Sequence, residues 1–194
     1  MLDTKWIFEK KDLINFFAFQ EELFSLKECE EIIKIGKKNK FYSSKVGSAE
    51  KMDSKQRSGN ISWINPLPNT QWIFKKISFC INDLNKKFFK FDLDGFPEGF
   101  QFTHYKKKQF YDWHIDRGYG SNYARKLSFS IQLTDPSTYK GGDLLLKDSA
   151  KEDIMNRKIG TLIIFPSFTL HKVTPVTKGE RYSLVGWSSG SNFK

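Results

Sequence analysis

The 194-residue chain is short of several things, and each shortage excludes something. It has only two cysteines, Cys29 and Cys80, which lie in apolar helical patterns rather than at paired spacings. That excludes a disulfide scaffold and a cysteine-ligated zinc site, and is the usage expected of a reduced, cytoplasmic protein. No apolar run approaches the roughly eighteen residues of a spanning helix. The first residues, Met1-Leu2-Asp3-Thr4-Lys5-Trp6, mix charge with aromatics where a signal peptide would be apolar. Repeats, low-complexity tracts and Pro-, Gly- or Ser-rich linkers are also missing, so one domain over residues 1–194 is expected. Arginine is scarce: of 32 basic residues, five are arginine.

What is present is a soluble globular balance of 39% hydrophobic and 28% charged residues. The formal charge of +10 would attract phosphates, acidic protein segments or anionic cosubstrates. Most of it is lysine scattered along the chain, with Lys106-Lys107-Lys108 the only triplet, so a solvated surface is favoured over a nucleic-acid footprint.

The front of the chain reads as helical. Ser25-Leu26-Lys27-Glu28 has capping-box spacing, and Leu26, Cys29, Ile32, Ile33 and Gly36 follow at helical intervals. The polar stretch Lys37–Asn60 reads as a long loop and, with Arg57–Ile64, as a lid over the substrate. Thr70 is placed to cap a second helix that buries Trp72, Ile73, Ile77, Cys80, Ile81, Leu84 and Phe88. From about Phe91 the pattern changes to short strands bounded by turn residues: Phe100–Tyr105, Lys126–Leu133, Gly142–Leu146, Thr161–Phe165 and Arg181–Trp187. Helical support over about 1–90 and a β core over about 91–190 imply an α+β fold, a closed or double-sheet β unit buttressed by helices.

Three histidines are present, His104, His114 and His171. In His114-Ile115-Asp116 an extended strand would point imidazole and carboxylate the same way. If the region around His171 folds back beside them, two imidazoles and one carboxylate occupy one face of a metal and leave positions open. That set suits Fe(II) binding a cosubstrate and oxygen together. Arg181 follows His171 by ten residues and shares a strand face with Ser183, Val185 and Trp187, where a cation could grip a dicarboxylate. Tyr105 ends a strand nine residues before His114, and Ser128, Ser130 and Gln132 make a polar face that implies a lined cavity.

In order along the chain stand Tyr105 and His114-Ile115-Asp116, then Leu133-Thr134-Asp135-Pro136 and Gly141-Gly142-Asp143-Leu144. Phe165-Pro166-Ser167, His171-Lys172-Val173-Thr174-Pro175-Val176 and Gly179-Glu180-Arg181 complete the set. This set resembles the iron(II)/2-oxoglutarate-dependent dioxygenases of the prolyl 4-hydroxylase superfamily, above all the small bacterial and phage-type members. Where such proteins often carry glycine three residues after the tyrosine, this chain has Lys108. The resemblance implies a double-stranded β-helix (jelly-roll, cupin-like) core. It assigns His114, Asp116 and His171 to iron, Arg181 to the distal carboxylate of 2-oxoglutarate and Tyr105 to a hydrogen bond with that cosubstrate, with Gln132, Thr103 and Trp187 lining the pocket. It implies Fe(II), 2-oxoglutarate and O2 as cofactors, with ascorbate as an accessory. The reaction would be hydroxylation of a C–H bond, peptidyl proline first, coupled to decarboxylation of 2-oxoglutarate.

Other readings stand beside these. His104 alternates away from Tyr105 and reads as structural or surface, and Trp187 is core material in any case. The Gly141-Gly142 pair reads as serving strand geometry alone. The alternatives in function are a nucleic-acid or small-molecule oxygenase of the same chemistry, and a metal-binding β-barrel module without activity.

Overall fold

A computed structural model describes residues 16–43, 56–118, 120–148 and 150–191. Helix α1 spans Leu26–Lys38 because its first turn is capped as the sequence implies. The Ser25 side chain accepts from the Glu28 N–H, and the Glu28 carboxylate accepts from the Ser25 N–H at 2.7 Å. Helix α2 spans Gln71–Leu84, but its Thr70 does not cap it. The Thr70 hydroxyl instead donates to the Asn65 carbonyl and accepts from the Leu67 N–H, closing the turn that precedes the helix. Both cysteines are free, and burial pushes their thiols up, Cys29 to about 12 and Cys80 to about 11. No helix among the described residues is long and apolar enough to cross a membrane.

The strands in chain order begin with β1 (Ala18–Gln20), β2 (Tyr42–Ser43), β3 (Arg57–Ser58), β4 (Asn60–Ile64), β5 (Leu93–Gly95), β6 (Phe100–Tyr105), β7 (Phe110–His114) and β8 (Arg125–Gln132). They continue with β9 (Lys140–Gly141), β10 (Leu144–Asp148), β11 (Lys151–Ile154), β12 (Leu162–Pro166), β13 (Leu170–Val173), β14 (Val176–Lys178) and β15 (Arg181–Gly190). A larger antiparallel sheet runs β1-β12-β8-β15-β6-β4-β2, with β5 also paired to β15; a smaller one runs β11-β10-β13-β7-β3, and β9 pairs with β14. This is the double-stranded β-helix arrangement. The front of the chain therefore contributes β1 to β4 as well as helices.

Strand alternation divides the larger sheet cleanly. One face carries Phe100, Phe102, Leu127, Phe129, Ile131, Leu162, Ile164, Tyr182 and Leu184, which pack with Ile73, Ile77 and Ile81 of α2 and with Cys29 and Ile32 of α1. The other face carries Gln101, Thr103 and Tyr105 of β6, Ser128, Ser130 and Gln132 of β8, and Arg181, Ser183 and Trp187 of β15, all buried. That polar face looks toward the smaller sheet, where Leu144, Leu146, Val173 and Val176 cluster with Ile163 and Phe165.

The expected lid is corrected by the strands. Arg57–Ile64 forms β3, which pairs with β7 at the edge of the smaller sheet, and β4, which lies between β6 and β2 in the larger one, and α1 runs through Lys38. A backbone that completes two ladders has its hydrogen bonds committed and cannot swing. Residues 44–55 of the expected loop lie outside the described residues.

Gly36 sets how closely α1 approaches the sheet. A Cβ there would stand 2.3 Å from the Phe102 ring, and the Gly36 carbonyl accepts from the Ser62 hydroxyl at 2.8 Å. Alanine raises helix propensity by about 1 kcal/mol, but overpacking a closed core costs about 1–3 kcal/mol. Phe102 is 0% exposed and has nowhere to retreat, so overpacking wins. Gly36→Ala is expected to lower the denaturant midpoint at unchanged m; an equal or higher midpoint would show that the helix lifts off the sheet freely.

Candidate active site

Three side chains from two strands and a turn converge between the sheets. β7 and β13 are antiparallel neighbours with His114 directly opposite His171, which sets their ring centroids 4.0 Å apart. Asp116 lies beyond the end of β7, not on the strand as the sequence spacing implies. Its position comes from the turn after β12: the N–H groups of Asp116 and Arg117 both donate to the Ser167 carbonyl at 2.9 Å. The Asp116 carboxylate then faces both rings, with Oδ1 3.6 Å from His114 Nε2 and Oδ2 3.4 Å from His171 Nε2. One ligand atom from each of the three residues lies within 4.8 Å of the others.

This donor set fits a divalent transition metal. Neighbouring donors bonded at about 2.1 Å to one octahedral ion stand roughly 3 Å apart, close to the separations found. Both rings are also set in the ligating tautomer. The Nδ1–H of His114 donates to the Asp112 carbonyl at 2.8 Å, and that of His171 to the Thr169 carbonyl at 2.9 Å. Each Nε2 is thereby left as a lone pair aimed at the shared point. Three protein ligands leave the remaining positions open, whereas a structural zinc site would be closed by a fourth.

Burial and mutual proximity set the charges here. Burial and the neighbouring His171 hold the His114 ring at a pKa of about 3, so it stays neutral. Burial also disfavours charge on His171, but Asp116 outweighs it and the net direction is up. Asp116 is pushed up by burial and down by both imidazoles, and settles far below the usual carboxylate range. The Trp187 indole N–H is close enough to favour that charge, although it completes no hydrogen bond of good geometry.

β15 runs from this cluster along the polar face to its far end. Trp187 stands near Asp116, and Arg181, on the same strand face, is 1% exposed at the other end. The Arg181 guanidinium donates to Gln132 Oε1 at 2.9 Å and to Ser183 Oγ at 3.3 Å, both neutral, and its Nε has no partner. No carboxylate pairs with it among the described residues; Glu180 turns instead to the Tyr182 hydroxyl and to His104. A buried cation without an anion is costly, and marks a place where an anionic ligand completes the structure. Tyr105 lies directly opposite Arg181 across the ladder, also within electrostatic reach of Asp116, and burial pushes its hydroxyl up so that it remains a donor.

The remaining expected residues fall into place unevenly. Gln132 holds Arg181 directly, Trp187 borders Asp116, and Thr103 is further off, accepting from Gln101 Nε2 at 2.9 Å on the same face. His104 is structural, stacked on Tyr182 at 4.4 Å. The Gly141-Gly142 pair does more than shape a strand. Both residues have left-handed φ, and a Cβ on Gly142 would stand 2.9 Å from Val176 Cγ2 and 3.0 Å from Arg181 Cδ, so the glycine makes room for both side chains. Lys108, standing where glycine is usual, adopts φ 71° to turn the chain from β6 into β7.

Three contributors were not singled out from sequence. Arg57 lies over Tyr111, Tyr111 stacks on His114, and Arg125 lies 3.8 Å over Trp187 while donating to the Asp116 carbonyl. The available signal was scarcity. All five arginines lie over aromatic rings, at Tyr111, Tyr123, Trp187, Tyr139 and Tyr105, and none is exposed.

Residues 100–189 match the model of the 2OG-Fe(II) oxygenase superfamily. A PKHD-type hydroxylase of Prochlorococcus marinus (strain MIT 9515) is 30% identical over 177 residues, covering 90% of this chain and 77% of the relative. Another from strain MIT 9312 is 38% identical over 118 residues, 59% of this chain and 53% of the relative. With 40% of a Gloeothece citriformis relative matched as well, the chain spans about half the length of several relatives. Among solved structures, a Pseudomonas putida prolyl-4-hydroxylase superposes with a TM-score of 0.73 at 19% identity, covering 91% of this chain and 94% of that one. A Trichoplax adhaerens prolyl hydroxylase, solved in complex with a hypoxia inducible factor oxygen degradation domain peptide fragment, gives 0.69 at 18% identity, covering 91% and 84%. These two likenesses establish the fold.

Proposed function

Because the chain belongs to the 2OG-Fe(II) oxygenase superfamily, we propose that it is a hydroxylase using Fe(II), 2-oxoglutarate and O2, with ascorbate as an accessory, and that residues 1–194 act as one dioxygenase domain. The observation that carries this reading is the pairing of an open His-Asp-His donor set with a buried guanidinium that lacks an anion. His114, Asp116 and His171 would hold the ion, which when bound supplies the oxidising chemistry with O2 and the cosubstrate. The chain's own residues bind, orient and exclude water. Arg181 takes the distal carboxylate of 2-oxoglutarate by charge-assisted hydrogen bonds, with Gln132 and Ser183 holding the guanidinium in place. Tyr105 donates from its buried hydroxyl to the cosubstrate, and Trp187 walls the Asp116 side.

The substrate class in this proposal is a peptidyl residue, proline first. It is supported by the peptide-bound prolyl hydroxylase among the structural neighbours. A nucleic-acid substrate is less well supported, since base reading relies on arginine and none of the five is exposed. A cytoplasmic location belongs to the same proposal, supported by the free Cys29 and Cys80.

The test is anaerobic addition of Fe(II) and then 2-oxoglutarate to the metal-free chain. A weak visible absorption band is expected only when both are present. On admitting O2 with a peptide library, succinate should form and one peptide class should gain the mass of one oxygen atom. No band from folded protein would overturn the cofactor assignment, and a band with oxygen transfer confined to non-peptide acceptors would overturn the substrate class.

A further inference from the structure

Tyr111 lies flat against the His114 imidazole, with ring centroids 3.4 Å apart and planes inclined by 13°. The Arg57 guanidinium stands 4.4 Å from the Tyr111 centroid, and β3 places Arg57 directly opposite Tyr111. One face of a phenol cannot hold an imidazole and a guanidinium at these distances together, so they occupy opposite faces. The stack runs Arg57, Tyr111, His114. Arg57 is 7% exposed, and its charge also acts on the Tyr105 hydroxyl. One buried side chain thus lies against the ring that backs a metal ligand and acts by its charge on the phenol assigned to the cosubstrate.

The two imidazoles are not held alike. His171 sits against Phe165 at 4.8 Å and is buried in the smaller sheet. His114 ends its strand beside the half-exposed Ile115, and its bond to the Asp112 carbonyl fixes an axis about which the ring can still tilt. A flat stack removes that tilt, and a guanidinium behind it keeps the phenol from sliding.

We propose that Arg57 is a positioning residue for this site, holding the His114 imidazole through Tyr111, with its charge facing the Tyr105 hydroxyl, so that it bears on metal and cosubstrate together. The inference rests on the iron and 2-oxoglutarate reading above.

The experiment titrates Co(II) into the metal-free full chain, follows its ligand-field absorption, and then measures 2-oxoglutarate binding by calorimetry. Arg57→Gln is expected to weaken Co(II) about 10- to 100-fold, to shift the band of the metal-saturated protein, and to weaken 2-oxoglutarate. Tyr111→Leu should reproduce the first two effects only, and Tyr105→Phe the third only. A merely structural role would lower the melting temperature and leave the saturated spectrum as in the parent. Unchanged Co(II) affinity and spectrum in Arg57→Gln overturn the proposal. Should that variant not fold, Arg57→Lys keeps a cation without the planar fork; a shifted band supports the proposal and a parental one overturns it. If the parent binds no Co(II), the reading of the whole site fails. If it binds and the Arg57 variants are silent, only the positioning role fails.

Discussion

Arg181→Met is expected to leave the ligand-free protein as stable as the parent or more so, while nearly abolishing 2-oxoglutarate binding. The guanidinium is 1% exposed and bonded only to neutral groups. Replacing buried charge by an apolar side chain of similar length is often neutral or stabilising by about 1–4 kcal/mol. Here Gln132 and Ser183 lose a partner each, and an unsatisfied buried group costs about 1–3 kcal/mol, so the gain is largely offset. Binding shows no such balance. Removing one member of a buried, hydrogen-bonded charge pair costs about 2–5 kcal/mol, or about 30-fold or more in affinity. Thermal melts with and without Co(II) and 2-oxoglutarate check both halves: the parent should gain melting temperature from the cosubstrate and the variant should not. A variant that keeps the cosubstrate-dependent rise would remove Arg181 from the binding site.

Asp116→Ala should lose most of its metal retention, with loss of at least about 100-fold in Co(II) affinity, beyond the effect of changing a residue outside the coordination shell. The carboxylate is the only anion of the donor set and the contact shared by both rings. Its removal also changes how the site responds to acid. In the parent, Asp116 holds the pKa of His171 above its ordinary value against the opposing effect of burial. A proton and a metal compete for the same Nε2 lone pair. Metal affinity of the parent is therefore full when the pH lies above the raised His171 pKa and falls as the solution is acidified through it. Without Asp116, burial is opposed only by the bond to the Thr169 carbonyl, so His171 titrates lower, and whatever weak metal binding persists should resist acid better. Equilibrium dialysis over a pH series separates the two curves, and coincident curves would contradict the assigned coupling.

The legibility of this site follows from where its information sits. Strand alternation in Gln101-Phe102-Thr103-His104-Tyr105 and in Leu127-Ser128-Phe129-Ser130-Ile131-Gln132 already separates a polar cavity face from an apolar one. The capping box at Ser25 is local and needs no tertiary context, and the structure keeps it. Arg57–Ile64 shows the opposite case. It reads as part of a lid, with its first residues in the polar stretch Lys37–Asn60, yet pairing with β6 and β7 makes it sheet, because the partners lie about 40 to 50 residues later in the chain. The role of Gly142 was hidden for the same reason, since the side chains it makes room for are Val176 and Arg181, far along the chain.

The sequence by itself determined the residue types of the donor set, the cation that follows it and the polar lining, since these are properties of side chains and of strand period. Tertiary structure alone decided how they meet. Asp116 reaches the metal-facing side through a turn anchored on Ser167, not through alternation along β7. Arg57 became part of the site by lying opposite Tyr111 across a ladder. A register is fixed by the burial of whole sheet faces acting together, and no short stretch of chain carries that information alone.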